Sequence, residues 1–466
     1  MDFSTSEFWL SLLAALPIVL VGNFLLRKKP HAEQLFHKWL IMILSLTLLG
    51  IASWQSLSIF LYVTLLAYFA CKGGLRMAQG KRRLLLGIII PLLLIPLLYY
   101  KYAYFLGTCL RAEWDTLRNL IIPIGISFYT FQIVGFCIDT LVRDEPMPGF
   151  VDYMNFGCYF PAIVAGPIER RANLLPQISK LRLYYSSADM MTGLPYIILG
   201  LFFKLALADN LALAYTTNVA HKHALTIWLF NLIFTFRIYF DFAGYGLTAY
   251  GLARCMGITL RMNFLSPYTA TNITEFWRRW HTSLTTWFRD YIYFPMGGSR
   301  TKRWALNTLI VFAISGLWHG AGWNFIIWGA LSGVAMVIHK TFRNMGGKIP
   351  GIIGWGATFL FMIFVWMFFY VTDSSILLSN LKTICTPEAY KLSTFFSLHP
   401  IRGAYTALPL LFIPLSIGVV CVEFISLHRT QDPYKLFLTP LACGIIVFLI
   451  VVLKPAVQNQ FIYFAF

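Results

Sequence analysis

The chain has 466 residues, 58% of them hydrophobic and only 12% charged. A soluble chain of this size carries roughly twice that charged fraction, so the composition excludes a water-soluble globular protein and points to an all-α polytopic membrane protein. Lys and Arg number 37 against 19 Asp and Glu, a net charge of +18, but the cations are dispersed in short loops rather than gathered on one face. That distribution argues against nucleic acid as a partner and for anionic membrane lipids, by the positive-inside pattern.

The N-terminal Met1–Glu7 is acidic and precedes a long apolar run whose basic flank, Arg27 to Lys29, comes after it. A cleaved signal peptide carries its positive charge before the run, so the first span is expected to be retained, with the N-terminus outside. Apolar runs near 8–26, 39–54, 57–71, 84–105 and 119–142 read as five spans, each approaching the ~20 residues that cross a bilayer. Between them lie Lys72, Arg76, Lys81, Arg82 and Arg83. The run 151–165 is short and interrupted, and with Arg143 before it and Arg170 after it reads as a re-entrant segment. Spans near 188–208 and 226–253 follow, then an apolar hairpin over 305–339, then spans near 352–372, 406–426 and 437–454. The total is about ten to twelve spans. No internal repeat of the inverted kind appears, and the chain reads as one integral domain over 1–466, its motifs concentrated in about 120–340.

The stretch between Arg254 and Trp304 is rich in Arg, Trp, Thr and Tyr. Asn272-Ile-Thr-Glu275 has capping-box spacing and predicts a helix start. At 100° per residue, Phe276, Trp277, Trp280, Leu284, Trp287 and Phe288 share one face, and Arg278, Thr282 and Arg289 share the other. One continuous basic amphipathic helix at the cytoplasmic interface is expected, ended by Pro295 and Gly297-Gly298, with His281 at the edge of its apolar stripe.

The most informative residues are Ser315-Gly-Leu-Trp-His319-Gly-Ala-Gly-Trp-Asn324. An imidazole at membrane depth is costly unless it meets a cavity or a polar partner, so His319 is a functional candidate. Gly316, Gly320 and Gly322 remove side-chain bulk from the surrounding backbone and are expected to let a substrate approach, and Trp318 and Trp323 offer stiff walls. Arg237 and Asp241, four apart in an apolar run, are expected to face each other as a structural ion pair. Asp139 is a lone acid near a span end, placed to be satisfied at the interface. Gly166-Pro-Ile-Glu169-Arg170 reads as a rigid turn. The eight cysteines form no CxxC pair, and His221-Lys-His223 has no nearby carboxylate or cysteine at metal-ligand spacing, so no metal site is indicated. His31, His37, His339, His399 and His428 lack catalytic context. With no GxSxG elbow, Walker loop or dinucleotide fingerprint, an enzyme of this sequence would use a histidine as its acid–base group and a cofactor-borne donor.

Five segments in order across about 120–330 resemble the membrane-bound O-acyltransferase superfamily. They are Ile122-Pro-Ile-Gly-Ile-Ser-Phe-Tyr-Thr-Phe131, Ala165-Gly-Pro-Ile-Glu-Arg170, Asp241-Phe-Ala-Gly-Tyr245, Asn272-Ile-Thr-Glu-Phe-Trp-Arg-Arg-Trp-His281 and Gly316-Leu-Trp-His-Gly320. Within the superfamily the chain is similar to the bacterial branch of alginate O-acetylases and teichoic acid D-alanyl transfer proteins. The terminal Phe461-Ile-Tyr-Phe-Ala-Phe466 resembles the acetylase side. The resemblance implies a ring of helices with re-entrant segments around a central tunnel in a bacterial inner membrane. It implies His319 as the signature histidine and His281 as the second, and a cytoplasmic acyl thioester donor, acetyl-CoA or a carrier-protein thioester, with no permanently bound cofactor. The acceptor would lie across the membrane, reached with an exported polysaccharide-modifying transferase as partner.

Acyl transfer to a hydroxyl needs a base for its proton and donors for the oxyanion, and a neutral imidazole in a dry site suits the first role. Arg278, Arg279 and Arg289 at the inner mouth are candidates to hold a phosphate-bearing donor. The leading expectation is O-acetyl transfer to an extracytoplasmic polysaccharide. The alternatives are D-alanyl transfer from a small acidic carrier protein and, in another class, a non-enzymatic lipid or glycan transporter.

Overall fold

The structure, a computed structural model, describes residues 3, 5–110, 117, 120–213, 219–391, 404–456, 459 and 461–462. Side chains are described from 411 in the helix Ala404–Thr430. Every regular element among the described residues is helical. Among the described residues nine helices are long and apolar enough to cross a membrane, and three shorter apolar helices, Ile126–Leu141, Trp304–His319 and Pro440–Leu453, accompany them. The protein is therefore an all-α polytopic membrane protein, because a helix satisfies its own backbone donors and acceptors in lipid. Leu10, Phe24, Ile51 and Leu84 are well exposed on these helices, as expected where the solvent is hydrocarbon. The chain falls into two compact units, Met1–Ile197 with Tyr245–Met262, and Ile198–Gly244 with Asn263–Phe466.

In the first unit the helices Ser6–Leu26, Pro30–Ala52, Trp54–Gly74 and Gln79–Leu97 follow the expected apolar runs. The run 119–142 departs from expectation: its helix begins only at Ile126. Pro123 lacks a donor and Gly125 sits at φ +73°, so the backbone turns before the helix can start. The run 151–165 is two short helices, Phe150–Cys158 and Phe160–Ile163, and every residue from 153 to 171 is buried. Its polar atoms are satisfied inside the unit: the Tyr153 hydroxyl donates to the Thr64 carbonyl at 2.8 Å and Asn155 Nδ2 to the Lys38 carbonyl at 2.9 Å. Irregular backbone at this depth persists only when buried in protein in this way. Asp139 forms an ion pair with Arg143 at 2.9 Å. Arg170, which follows the re-entrant segment, and Arg171 are both buried. The Arg171 guanidinium donates to Thr140 Oγ1 at 2.6 Å and lies 4.9 Å from the Phe136 ring centre.

In the second unit the hairpin Trp304–His319 and Trp323–Asn344 is followed by Gly351–Tyr370, Ser374–Ile384, Ala404–Thr430 and Pro440–Leu453. The hairpin owes its closeness to glycine. A Cβ on Gly316 would stand 2.1 Å from the Phe325 carbonyl oxygen, and one on Gly329 would stand 2.2 Å from that of Phe312. The two backbones thus pack as small-residue membrane interfaces do. Contrary to the expected substrate approach, the space beside Gly316 and Gly320 is filled by Phe325, and that beside Gly322 by the Asn324 side chain, so these glycines serve close packing instead.

Candidate active site

His319 is the last residue of its helix; Gly320 turns extended, at φ −160° and ψ 150°, and the imidazole is left inside the unit. It is 3% exposed, and its ring centre lies 4.9 Å from that of Trp318, 5.2 Å from Trp328 and 5.4 Å from Phe369, at angles between 66° and 85°. Edge-on contacts of this kind suit aromatic quadrupoles and hold the ring in a dry chamber. Trp318 is the wall the sequence suggested, but Trp323 is 60% exposed and is not. Trp328 and Phe369 take that part, each brought by a different helix. Periodicity alone does not reveal them, because aromatic residues make up 17% of the chain.

The segment carrying His281 corrects the expected continuous helix. One helix, Ile273–Arg279, ends at an extended Trp280; His281 is left-handed, at φ 43° and ψ 53°; a second helix, Thr282–Phe288, then begins. Asn263 holds the break: its carbonyl accepts from the Thr282 amide at 3.0 Å and its Oδ1 from the Ser283 amide at 3.4 Å. The first helix starts as predicted. Asn272 Oδ1 accepts from the Glu275 amide at 2.9 Å, while Glu275 Oε2 reaches back to the Thr271 amide and hydroxyl, each at 2.8 Å. The apolar face is also as expected, with Phe276, Trp277, Trp280, Leu284, Trp287 and Phe288 all buried.

The break sends the His281 side chain inward. It is 1% exposed, with its ring centre 4.7 Å from Phe242, 5.7 Å from Trp318 and 6.2 Å from His319. The two candidate histidines, 38 residues apart in sequence, thus share one aromatic chamber. Burial pulls the His281 imidazole down to about 3, so it is neutral at physiological pH. A non-glycine residue in the left-handed region costs about 1–3 kcal/mol, and such strain gathers at functional sites.

The three arginines do not converge. Arg279 donates to Glu275 and, at 2.7 Å, to Thr269 Oγ1, which commits it to bracing the segment. Arg289 is exposed, contacts Asp290 at 2.7 Å and lies 5.6 Å from the Phe294 ring centre. Arg278 is exposed.

Three buried polar clusters were not legible as such. In the second unit Asp241, matched with Arg237 by spacing, pairs with Lys204 at 2.8 Å, and Lys204 also pairs with Asp209 at 2.9 Å. The Lys204 ammonium donates to the Asn459 carbonyl at 2.7 Å and the Ile462 amide donates to Asp241 Oδ2 at 2.6 Å. This cluster therefore pins Asn459 and Ile462, and the Phe242 ring lies 5.7 Å from that of Phe461. Residues 463–466 of the acetylase-like terminal segment, and His399, lie outside the described residues. Also in the second unit, Glu423 accepts from the Tyr239 hydroxyl at 2.7 Å and from Ser266 Oγ at 3.0 Å. In the first unit Glu169 is far more than part of a turn. Its carboxylate accepts from the Arg261 amide at 2.7 Å and Asn173 Nδ2 at 2.8 Å, and its amide donates to Gln132 Oε1 at 3.0 Å. Burial raises its pKa, and the hydrogen bonds oppose that shift. For Lys204 and Glu423 the available signal was a charge within an apolar run, which by default marks a functional or architectural site.

By fold and site this is a multi-span helical membrane protein with two histidines enclosed by aromatic rings. The family model of membrane-bound O-acyltransferases matches residues 51–378, and the chain belongs to that family and is an O-acyltransferase. It is 32% identical over 415 residues to a peptidoglycan O-acetyltransferase of Helicobacter pylori, covering 80% of this chain and 78% of that protein. It is 35% identical over 330 residues to a probable alginate O-acetylase of Pseudomonas syringae pv. tomato, covering 67% and 63%. It is 31% identical over 248 residues to a teichoic acid D-alanyltransferase of Bacillus subtilis, covering 50% and 62%.

Proposed function

We propose that this protein moves an acetyl group from a cytoplasmic thioester donor, acetyl-CoA or a carrier-protein thioester, toward hydroxyls of an extracytoplasmic polysaccharide. The observation that carries the reading is the enclosure of His319 and His281 in one aromatic chamber, their ring centres 6.2 Å apart. A reacting group that reaches this enclosure would meet both imidazoles. In the proposed step His319 takes the acceptor's hydroxyl proton as its oxygen attacks the thioester carbonyl. The tetrahedral intermediate then collapses, the C–S bond breaks, and the departing thiolate recovers the proton from His319. An imidazole held at about 3 is a poor store for a proton, so His281 orients the reacting group by hydrogen bonding rather than serving as the base. Arg278, exposed at the end of the Ile273–Arg279 helix, is the arginine best placed to meet a phosphate-bearing donor, since Arg279 is already engaged.

Acetyl is favoured over D-alanyl because the similarity to the O-acetyltransferase extends over 80% of the chain, against 50% for the D-alanyltransferase. The basic loops support an inner-membrane location with those loops cytoplasmic, and an acceptor beyond the membrane calls for an exported transferase as partner. Mass analysis of surface polymers in a deletion strain tests the assignment. O-acetyl groups are expected to be lost with D-alanyl esters intact, and loss of D-alanine alone would overturn it.

A further inference from the structure

The helices Trp323–Asn344 and Gly351–Tyr370 are closely joined at one end only. Near the His319 chamber the Trp328 and Trp366 rings stack at 5.6 Å and Asn324 Nδ2 donates to the Phe368 carbonyl at 2.9 Å. Toward their connecting loop a groove of about 700 Å³ opens between them. One wall is a single helical face through Leu331, Ala335 and Ile338, and the other runs through Gly354, Ala357 and Phe361. At its loop end stand His339 and Arg343, the histidine fixed by a 2.9 Å hydrogen bond between its Nδ1 and Thr274 Oγ1. None of the residues lining the groove is acidic, and Lys348 follows in the loop.

The dimensions and the charge select the occupant. From Leu331 to Arg343 the helix rises about 18 Å, comparable with one leaflet's share of a hydrocarbon core about 30 Å thick. An apolar trough one leaflet deep, with the cation Arg343 and the imidazole of His339 only at the loop end, matches a molecule that has an alkyl tail and an anionic head. We propose that this groove holds one anionic phospholipid, its acyl chain between the two helices and its phosphate at His339 and Arg343. The opposite ends of the same helices supply Trp328 and Phe369 to the wall of His319, so the lipid would brace the hairpin that shapes the chamber. The binding proposal itself does not depend on which acyl group is transferred.

Native mass spectrometry of the purified full-length protein, incubated with phosphatidylglycerol or with phosphatidylcholine of the same chains, tests it. One phosphatidylglycerol per protein is expected to survive activation that strips phosphatidylcholine. Arg343→Ala is expected to cut that preference by about fivefold, the effect of one interfacial cation. Ala335→Trp, which fills the trough, is expected to remove both lipids. A tail-labelled photoactivatable phosphatidylglycerol on the unmodified protein should mark peptides spanning 331–343 and 354–361, a readout that needs no variant to fold. Equal retention of the two lipids, labelling elsewhere, or displacement of the lipid by glycerol phosphate would each overturn the proposal; the last would identify the occupant as a free phosphate compound.

Discussion

At His281 the backbone is left-handed, with φ 43° and ψ 53°, a region that Asn also tolerates. His281→Asn therefore preserves the break between the two short helices while removing the ring that meets Phe242 and faces His319. The acyl transfer rate is expected to fall by about 10²- to 10⁴-fold, the span of a lost acid–base or orienting partner, with protein abundance little changed. A His281→Asn enzyme with the wild-type rate would reduce the residue to a structural one. The same imidazole carries a pH signature. Its pKa lies at about 3 when folded against 6.5 for an exposed histidine, so the stability it contributes is fully present above pH 6.5. That stability drains as pH falls from 6.5 toward 3, because the unfolded chain takes up a proton the folded one refuses. The slope is at most about 1.4 kcal/mol per pH unit. Melting temperatures at pH 7.5 and pH 5 should differ more for the wild type than for His281→Asn, and parallel slopes would contradict the burial argument.

Among the elements, the hairpin Trp304–His319 and Trp323–Asn344 sets the site, and its closeness rests on Gly316 and Gly329. Gly329→Ala places a Cβ 2.2 Å from the Phe312 carbonyl oxygen. It is expected to destabilise the protein by about 1–3 kcal/mol, the range for overpacking, and to lower activity with it. An unchanged melting temperature would show that the helices can part without consequence. The spans themselves were legible because a bilayer imposes their length and apolarity. The interruption at His281 was not, because Phe276, Trp280, Leu284 and Phe288 keep a helical period across it, and what forces the break is Asn263, far off in sequence. The start of that segment was legible because a capping box is local. Asp241 was assigned by spacing to Arg237, whereas its ion pair with Lys204 crosses between helices and has no local signature. That His319 would need an enclosure could be read from sequence, because a histidine amid glycines and tryptophans is costly in lipid; its Trp328 and Phe369 walls could not.

For the molecule in its membrane, the density of Arg and Lys in the segment 259–304 predicts that it faces the cytoplasm, the side from which the proposed thioester donor would enter. Arg300 is exposed at its end, so an Arg300→Cys variant in a background with exposed cysteines removed should resist impermeant thiol reagents on intact cells and react after permeabilisation. Ready labelling from outside would reverse the orientation and move the donor entrance. The central claim is that the enclosed His319 performs acyl transfer, and the most direct test is transfer of labelled acetyl from a thioester donor in isolated membranes. His319→Ala is expected to reach the membrane in normal amount, since alanine suits a helix end in an apolar hairpin, and to lose nearly all transfer. Substantial transfer by a correctly inserted His319→Ala protein would contradict the account.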